Sequence, residues 1–160
     1  MNNQNLKFFI KHCLELLSPA LLRFIKMRRF KKILPPEFVR HLADLDSDSL
    51  VIDIGANVGL VSEILARTGA TVIAFEPNED ALVKLNEIGK RFPKLDIKPV
   101  AAGIKNDQVK LFLHKDSQVT NADLTQSSSL KESKPNVSAD LVQRINEIDF
   151  AEFLKAIDKE

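Results

Sequence analysis

The chain has 160 residues, 44% of them hydrophobic and 28% charged, with a formal net charge of +1. That is the length of one domain with ordinary globular composition, and the near-neutral balance gives no whole-chain argument for a nucleic-acid partner. The single cysteine, Cys13, excludes an internal disulfide and a cysteine-built metal site, and the absence of Trp and Tyr leaves only Phe for stacking against a sugar.

Residues 1–48 read as a helical extension. The opening MNNQNLKFFIKHCLELL has no uninterrupted apolar core and no small-residue cleavage site, and Lys11, His12 and Glu15 break it too often for a membrane span. A cytoplasmic location follows as the expectation. One helix is expected over 5–17, with Cys13 as apolar filler, and a second over 18–34, opened by Ser18 as cap and Pro19 in the first turn. Six bases, Arg23, Lys26, Arg28, Arg29, Lys31 and Lys32, fall in this second helix without an acid among them. They read as a solvated face, with Leu21, Leu22, Phe24 and Ile25 inward, or as a patch for peripheral contact with an anionic membrane. Pro35-Pro36 then starts a short third helix over 37–45, with Phe38, Leu42 and Leu45 on one face.

The stretch Val51-Ile52-Asp53-Ile54-Gly55-Ala56-Asn57-Val58-Gly59 reads as a buried strand, a tight turn and a helix start. Gly55 lets the chain turn, Asn57 tolerates a left-handed conformation, and Gly59 allows the new helix to pack closely against the strand. A dinucleotide fingerprint would place Gly where Asn57 and Leu60 stand, and a phosphate-cradling loop would need a Lys after Gly59. The remaining pattern, Asp-x-Gly-x-Asn-x-Gly, suits a ligand without phosphates. S-adenosylmethionine fits it, with its carboxylate toward the helix start and its ammonium toward backbone carbonyls and Asp53. Leu60, Val61, Ile64 and Leu65 continue at helical spacing up to Thr68-Gly69.

A second buried strand, Thr71-Val72-Ile73-Ala74-Phe75, ends in Glu76-Pro77-Asn78. An acid at this place in a strand–helix–strand unit accepts hydrogen bonds from ribose hydroxyls. Asn78 caps a helix to about Arg91, with Leu82, Leu85 and Ile88 inward, and Phe92-Pro93 ends it. A third strand is expected over 95–102, with Pro99 marking an edge or bulge and Ala101 and Ala102 near the adenine. Right-handed crossovers give the strand order 3-2-1. Residues 109–114 read as a returning antiparallel strand ending in His114, which reads as an exposed or hydrogen-bonded bystander with general base as the rival role. Residues 115–136 read as a polar loop, 141–148 as a strand, and Asp149 as the cap of a final helix carrying Phe150, Phe153, Leu154 and Ile157.

VIDIGANVG followed by VIAFEPNEDAL resembles the FkbM-type methyltransferase family, over about residues 49–154. The resemblance implies an S-adenosylmethionine-dependent O-methyltransferase acting on a hydroxyl of a sugar, glycan or other small molecule. No nucleic acid and no metal are implied. Asp53, Gly55, Ala56, Asn57 and Gly59 would hold the methionine end, and Glu76 the ribose with Pro77 and Asn78 beside it. The serine run places Ser128 and Ser129 on the substrate side.

The fold implied is α/β: a partial Rossmann-like class I methyltransferase sheet over 49–160, order 3-2-1 plus antiparallel additions. In the family a further central strand with a Lys-x-Asp-x-Glu-Gly stretch follows the segment like 149–157, and no such stretch is present here. The first strand is then left with an unpaired edge open to self-association. The rival reading is a truncated, non-catalytic remnant that binds S-adenosylmethionine or a partner. A nicotinamide-dependent oxidoreductase is disfavoured by Asn57 and Leu60.

Overall fold

The computed structural model describes residues 34–114, 130 and 137–157. The helices expected to begin at Asn5 and Ser18, the bases from Arg23 to Lys32, and Ser128 and Ser129 lie outside the described residues. The chain divides into one unit up to Asp44 and another from Leu45. The described part of the first is helix α1, Pro36–Asp44, an exposed helix in which Arg40 bonds Glu37 one turn earlier at 3.4 Å.

In the second unit, β1 (Leu50–Ile54), α2 (Leu60–Ala66), β2 (Thr71–Phe75), α3 (Glu79–Gly89) and β3 (Leu95–Lys98) follow one another. The three strands form a parallel sheet in the order β1-β2-β3, with Ile54 opposite Phe75 and Phe75 opposite Lys98. This is the expected 3-2-1 order. β2 is hydrogen-bonded on both sides, so Val72, Ile73, Ala74 and Phe75 are all buried, the continuous apolar run of a central parallel strand. Among the described residues β1 pairs with β2 alone.

The helices follow from local chemistry. Asn78 caps α3 by accepting from the Asp80 N–H at 3.0 Å. Its buried side is Ala81, Leu85 and Ile88, with Leu82 only half-buried, one position off the expected face. Gly69, at φ 93, turns the chain out of α2 into β2.

The expected single strand over 95–102 is instead two. Pro99 has no N–H to continue the ladder, Val100 N–H bonds back to Lys98 O at 2.8 Å, and the chain leaves the first sheet. β4 (Ala101–Gly103), β5 (Asp107–His114) and β6 (Val137–Asp149) form a second sheet in the order β4-β6-β5. β5 runs antiparallel to β6 as expected, but β4 runs parallel to it, so the later strands form a sheet of their own rather than antiparallel additions to the first. Its core is Ala101, Leu111 and Ile145, with Val109 and Leu113 against it. Helix α4 (Phe150–Ile157) follows, capped by Asp149 through the Glu152 N–H at 3.0 Å. Phe150 and Phe153 meet the Phe75 ring edge-on at 5.8 and 5.0 Å, which joins α4 to the first sheet. No helix among the described residues is long and apolar enough to cross a membrane.

Candidate functional site

Parallel strands in register end together, so the carboxyl ends of β1 and β2 bring the segments after Ile54 and Phe75 side by side. The Phe75 carbonyl accepts from both Gly55 N–H (2.9 Å) and Ala56 N–H (3.0 Å), which starts the turn. Three positive φ angles shape the rest: 79° at Gly55, 51° at Asn57 and 80° at Gly59. Asn57 is the one non-glycine residue with positive φ among those described, the conformation its side chain tolerates best. A side chain on Gly55 would have nothing within 4 Å, so the backbone there is open to a ligand.

Gly59 has a different reason. A Cβ there would stand 2.7 Å from both Leu85 Cδ1 and Ile88 Cδ1. The close approach is between the start of α2 and the side of α3, rather than against the strand as the sequence suggests.

Glu76 stands between the two turns. Its Oε2 accepts from Asn57 N–H at 2.7 Å and its Oε1 from Asn78 N–H at 2.8 Å. Each oxygen keeps a further lone pair, since a carboxylate accepts about four bonds in all. Burial pushes the Glu76 carboxyl above its ordinary range; the two N–H bonds oppose the shift and the neighbouring Asp53 charge adds to it. Asp53 is also pushed up by burial, against the hydrogen bond from the Ser62 hydroxyl. The Ser62 hydroxyl donates to Asp53 Oδ2 at 2.6 Å.

The structure thus brings Asp53, Gly55, Ala56, Asn57, Gly59, Glu76, Pro77 and Asn78 to one end of the first sheet. The Asn78 side chain serves the α3 cap, and its N–H serves Glu76. Ala101 goes elsewhere: its side chain lies in the core of the second sheet, and Ala102 pairs with Ile148 there. His114 closes β5 beyond a bulge, opposite Val137.

Sequence reasoning passes over Ser62, which sits at a position that helical spacing leaves to solvent but is fully buried. A small polar residue in the first turn of a mostly apolar helix was the signal. It also passes over Glu63, buried and bonded to Arg67 at 2.8 Å and Arg91 at 3.1 Å. The Glu-to-Arg spacing of four was readable for Arg67; Arg91 comes from the turn after α3.

No protein-family model matches the chain. Over 56 residues it is 41% identical to ribosomal RNA small subunit methyltransferase A of Thermotoga neapolitana, 35% of this chain and 22% of that protein. The protein of that name from Thermotoga maritima is 38% identical over 56 residues, 35% of this chain and 20% of its own length. The Thermotoga petrophila protein is 37% identical over 54 residues, 34% and 21%. The relatives are methyltransferases. The matches span about a fifth of those curated relatives' length. They support the general likeness to methyltransferases and not the FkbM type in particular. They also correct the expected partners: a carbohydrate acceptor with no nucleic acid does not agree with relatives named for methylating ribosomal RNA.

Proposed function

We propose that this chain provides the methyl-donor site of an S-adenosylmethionine-dependent methyltransferase whose acceptor is RNA. The observation that carries the reading is the Glu76 carboxylate, held between two turns by Asn57 and Asn78 N–H groups at the carboxyl ends of adjacent parallel strands. An acid so placed meets ribose hydroxyls, and the open backbone at Gly55 leaves room for the amino-acid end of the donor. Asp53 would face its ammonium, and Gly55, Ala56, Asn57 and Gly59 would line it with backbone. Pro77 and Asn78 would flank the ribose.

When bound, S-adenosylmethionine supplies an electrophilic methyl group on a sulfonium. The chain's own residues position the donor and exclude water from it. The finer affiliation, FkbM type with transfer to a hydroxyl, is supported by VIDIGANVG and VIAFEPNEDAL. RNA as acceptor is supported by the relatives' name and by one feature of the second sheet. Lys110 and Arg144 stand directly opposite each other on β5 and β6, with no acidic partner for either among the described residues. Like charges so placed repel, and a phosphate between them would relieve the repulsion.

Calorimetry with S-adenosylhomocysteine and with NAD tests the donor, and transfer of a labelled methyl group to unmethylated ribosomal RNA tests the acceptor. Binding of the first ligand alone, with label in RNA, is the expected result. Binding of NAD without S-adenosylhomocysteine would overturn the reading.

A further inference from the structure

Ser62 is 0% exposed and lies in the first turn of α2. Its hydroxyl reaches Asp53 Oδ2 at 2.6 Å, the short distance of a hydroxyl bonded to an ionised carboxylate. The remaining residues of this helix are apolar, apart from Glu63 with its two arginines. Serine is a mediocre helix former, and a buried hydroxyl is costly unless bonded. Packing asks here for a small residue such as alanine; the hydroxyl answers to Asp53.

The geometry points to Ser62 as the positioning residue for Asp53. It occupies Oδ2, fixes the carboxylate's rotamer, and leaves Oδ1 to a cationic group of the ligand. The inference rests on the methyl-donor reading above. Asp53 and Ser62 also bracket residues 54–61, so their bond pins the two ends of the turn while Glu76 holds its middle through Asn57. A role limited to holding the turn would affect every ligand of the site alike. A role in aiming Asp53 would affect only ligands that carry the ammonium.

Two ligands separate these cases: S-adenosylhomocysteine, which has the amino-acid end, and 5′-methylthioadenosine, which lacks it. Calorimetry on Ser62→Ala is expected to show roughly tenfold weaker binding of S-adenosylhomocysteine and unchanged binding of 5′-methylthioadenosine, from the usual worth of a bond to a charged group. Ser62→Thr, which keeps the hydroxyl, should restore most of the loss. In an Asp53→Asn background Ser62→Ala should add nothing. Should Ser62→Ala fail to fold, Ser62→Cys, only slightly larger and a much weaker donor, takes its place in the same comparison. Equal losses for both ligands, or no loss for either, would overturn the positioning role while the parent chain still bound S-adenosylhomocysteine. A parent chain that binds neither ligand would sink the methyl-donor reading itself.

Discussion

Asp53 and Glu76 stand at the carboxyl ends of neighbouring strands, one just inside and one just past the last strand residue, and burial pushes both carboxyls above the ordinary values of 3.8 and 4.5. The folded protein therefore holds these two protons more tightly than the unfolded chain does. Their contribution to stability is most favourable in acid and falls as pH rises through the window from those ordinary values to the raised ones. An ammonium group at Asp53 and ribose hydroxyls at Glu76 are both bound best when the carboxyls are ionised and only accept hydrogen bonds. Affinity for S-adenosylhomocysteine should rise with pH across the same window and then level off, and binding within it should release protons. Calorimetry in buffers of different ionisation heat reads that release; a flat affinity would show that neither carboxylate meets the ligand.

Gly59 makes a sharper case at the same scale. Substitution by alanine puts a methyl 2.7 Å from two α3 side chains and holds it at φ 80, where a Cβ is strained. Gly59→Ala is expected to cost about 2–4 kcal/mol, the sum of overpacking and left-handed strain. Urea denaturation measures it. Gly55→Ala has only the strain, since no atom lies near, and should cost about 1–2 kcal/mol.

Among the elements, Glu63 in the middle of α2 ties that helix through Arg91 to the segment just after α3. Burial alone would raise its carboxyl, but the bonds and charges of Arg91 and Arg67 outweigh burial and hold it below the usual 4.5. The sign is opposite to that of Asp53 and Glu76: this stability is present above 4.5 and is lost as pH falls through the lowered value. Both guanidinium groups also lie over the Phe92 ring, at 5.6 and 5.4 Å. Glu63→Gln should cost about 1–3 kcal/mol near neutral pH and less in acid, with the arginines' partial exposure discounting the larger figure for a buried pair. Denaturation at two pH values checks both the size and the direction.

The second sheet carries the prediction on the acceptor. Lys110→Ala with Arg144→Ala removes a repulsive cross-strand pair, so stability should stay level or rise slightly. RNA affinity should fall, and its salt dependence should flatten by a slope of roughly 0.7 for each phosphate no longer neutralised. Filter binding across a salt series reads both, and an unchanged slope would mean that neither side chain meets the RNA.

What could be read from the residues is what local chemistry determines. Asn57 and Gly55 announce left-handed positions, Asn78 and Asp149 announce caps, and β2's apolar run announces a central strand. Pro99 announces a break, but whether the chain resumes in the same sheet depends on β6, far along the sequence. Ser62 could not be assigned to Asp53 without knowing how α2 returns over β1. For the same reason, the Cβ-free contact at Gly59 could be foreseen, while its partners on α3 could not.

At the scale of the whole second unit, Phe75 is the joint. Its carbonyl anchors the turn after β1 through Gly55 and Ala56, and its ring, 1% exposed, receives Phe150 and Phe153 from α4. Phe150 and Phe153 also stack on each other at 6.0 Å, so the three rings form one cluster joining α4 to β2. The backbone and the ring do separate tasks, and mutation can part them. Phe153→Leu keeps most of the apolar contact but removes one edge-to-face and one stacked pair. It should cost about 1–3 kcal/mol of stability, at roughly 0.5–1.5 kcal/mol for each of the two ring pairs. The Phe75 carbonyl is untouched, so affinity for S-adenosylhomocysteine at a temperature where the variant is folded should stay within about twofold of the parent. A large loss of affinity with little loss of stability would mean that α4 reaches the ligand site, and that the cluster belongs to the binding surface as well as to the core.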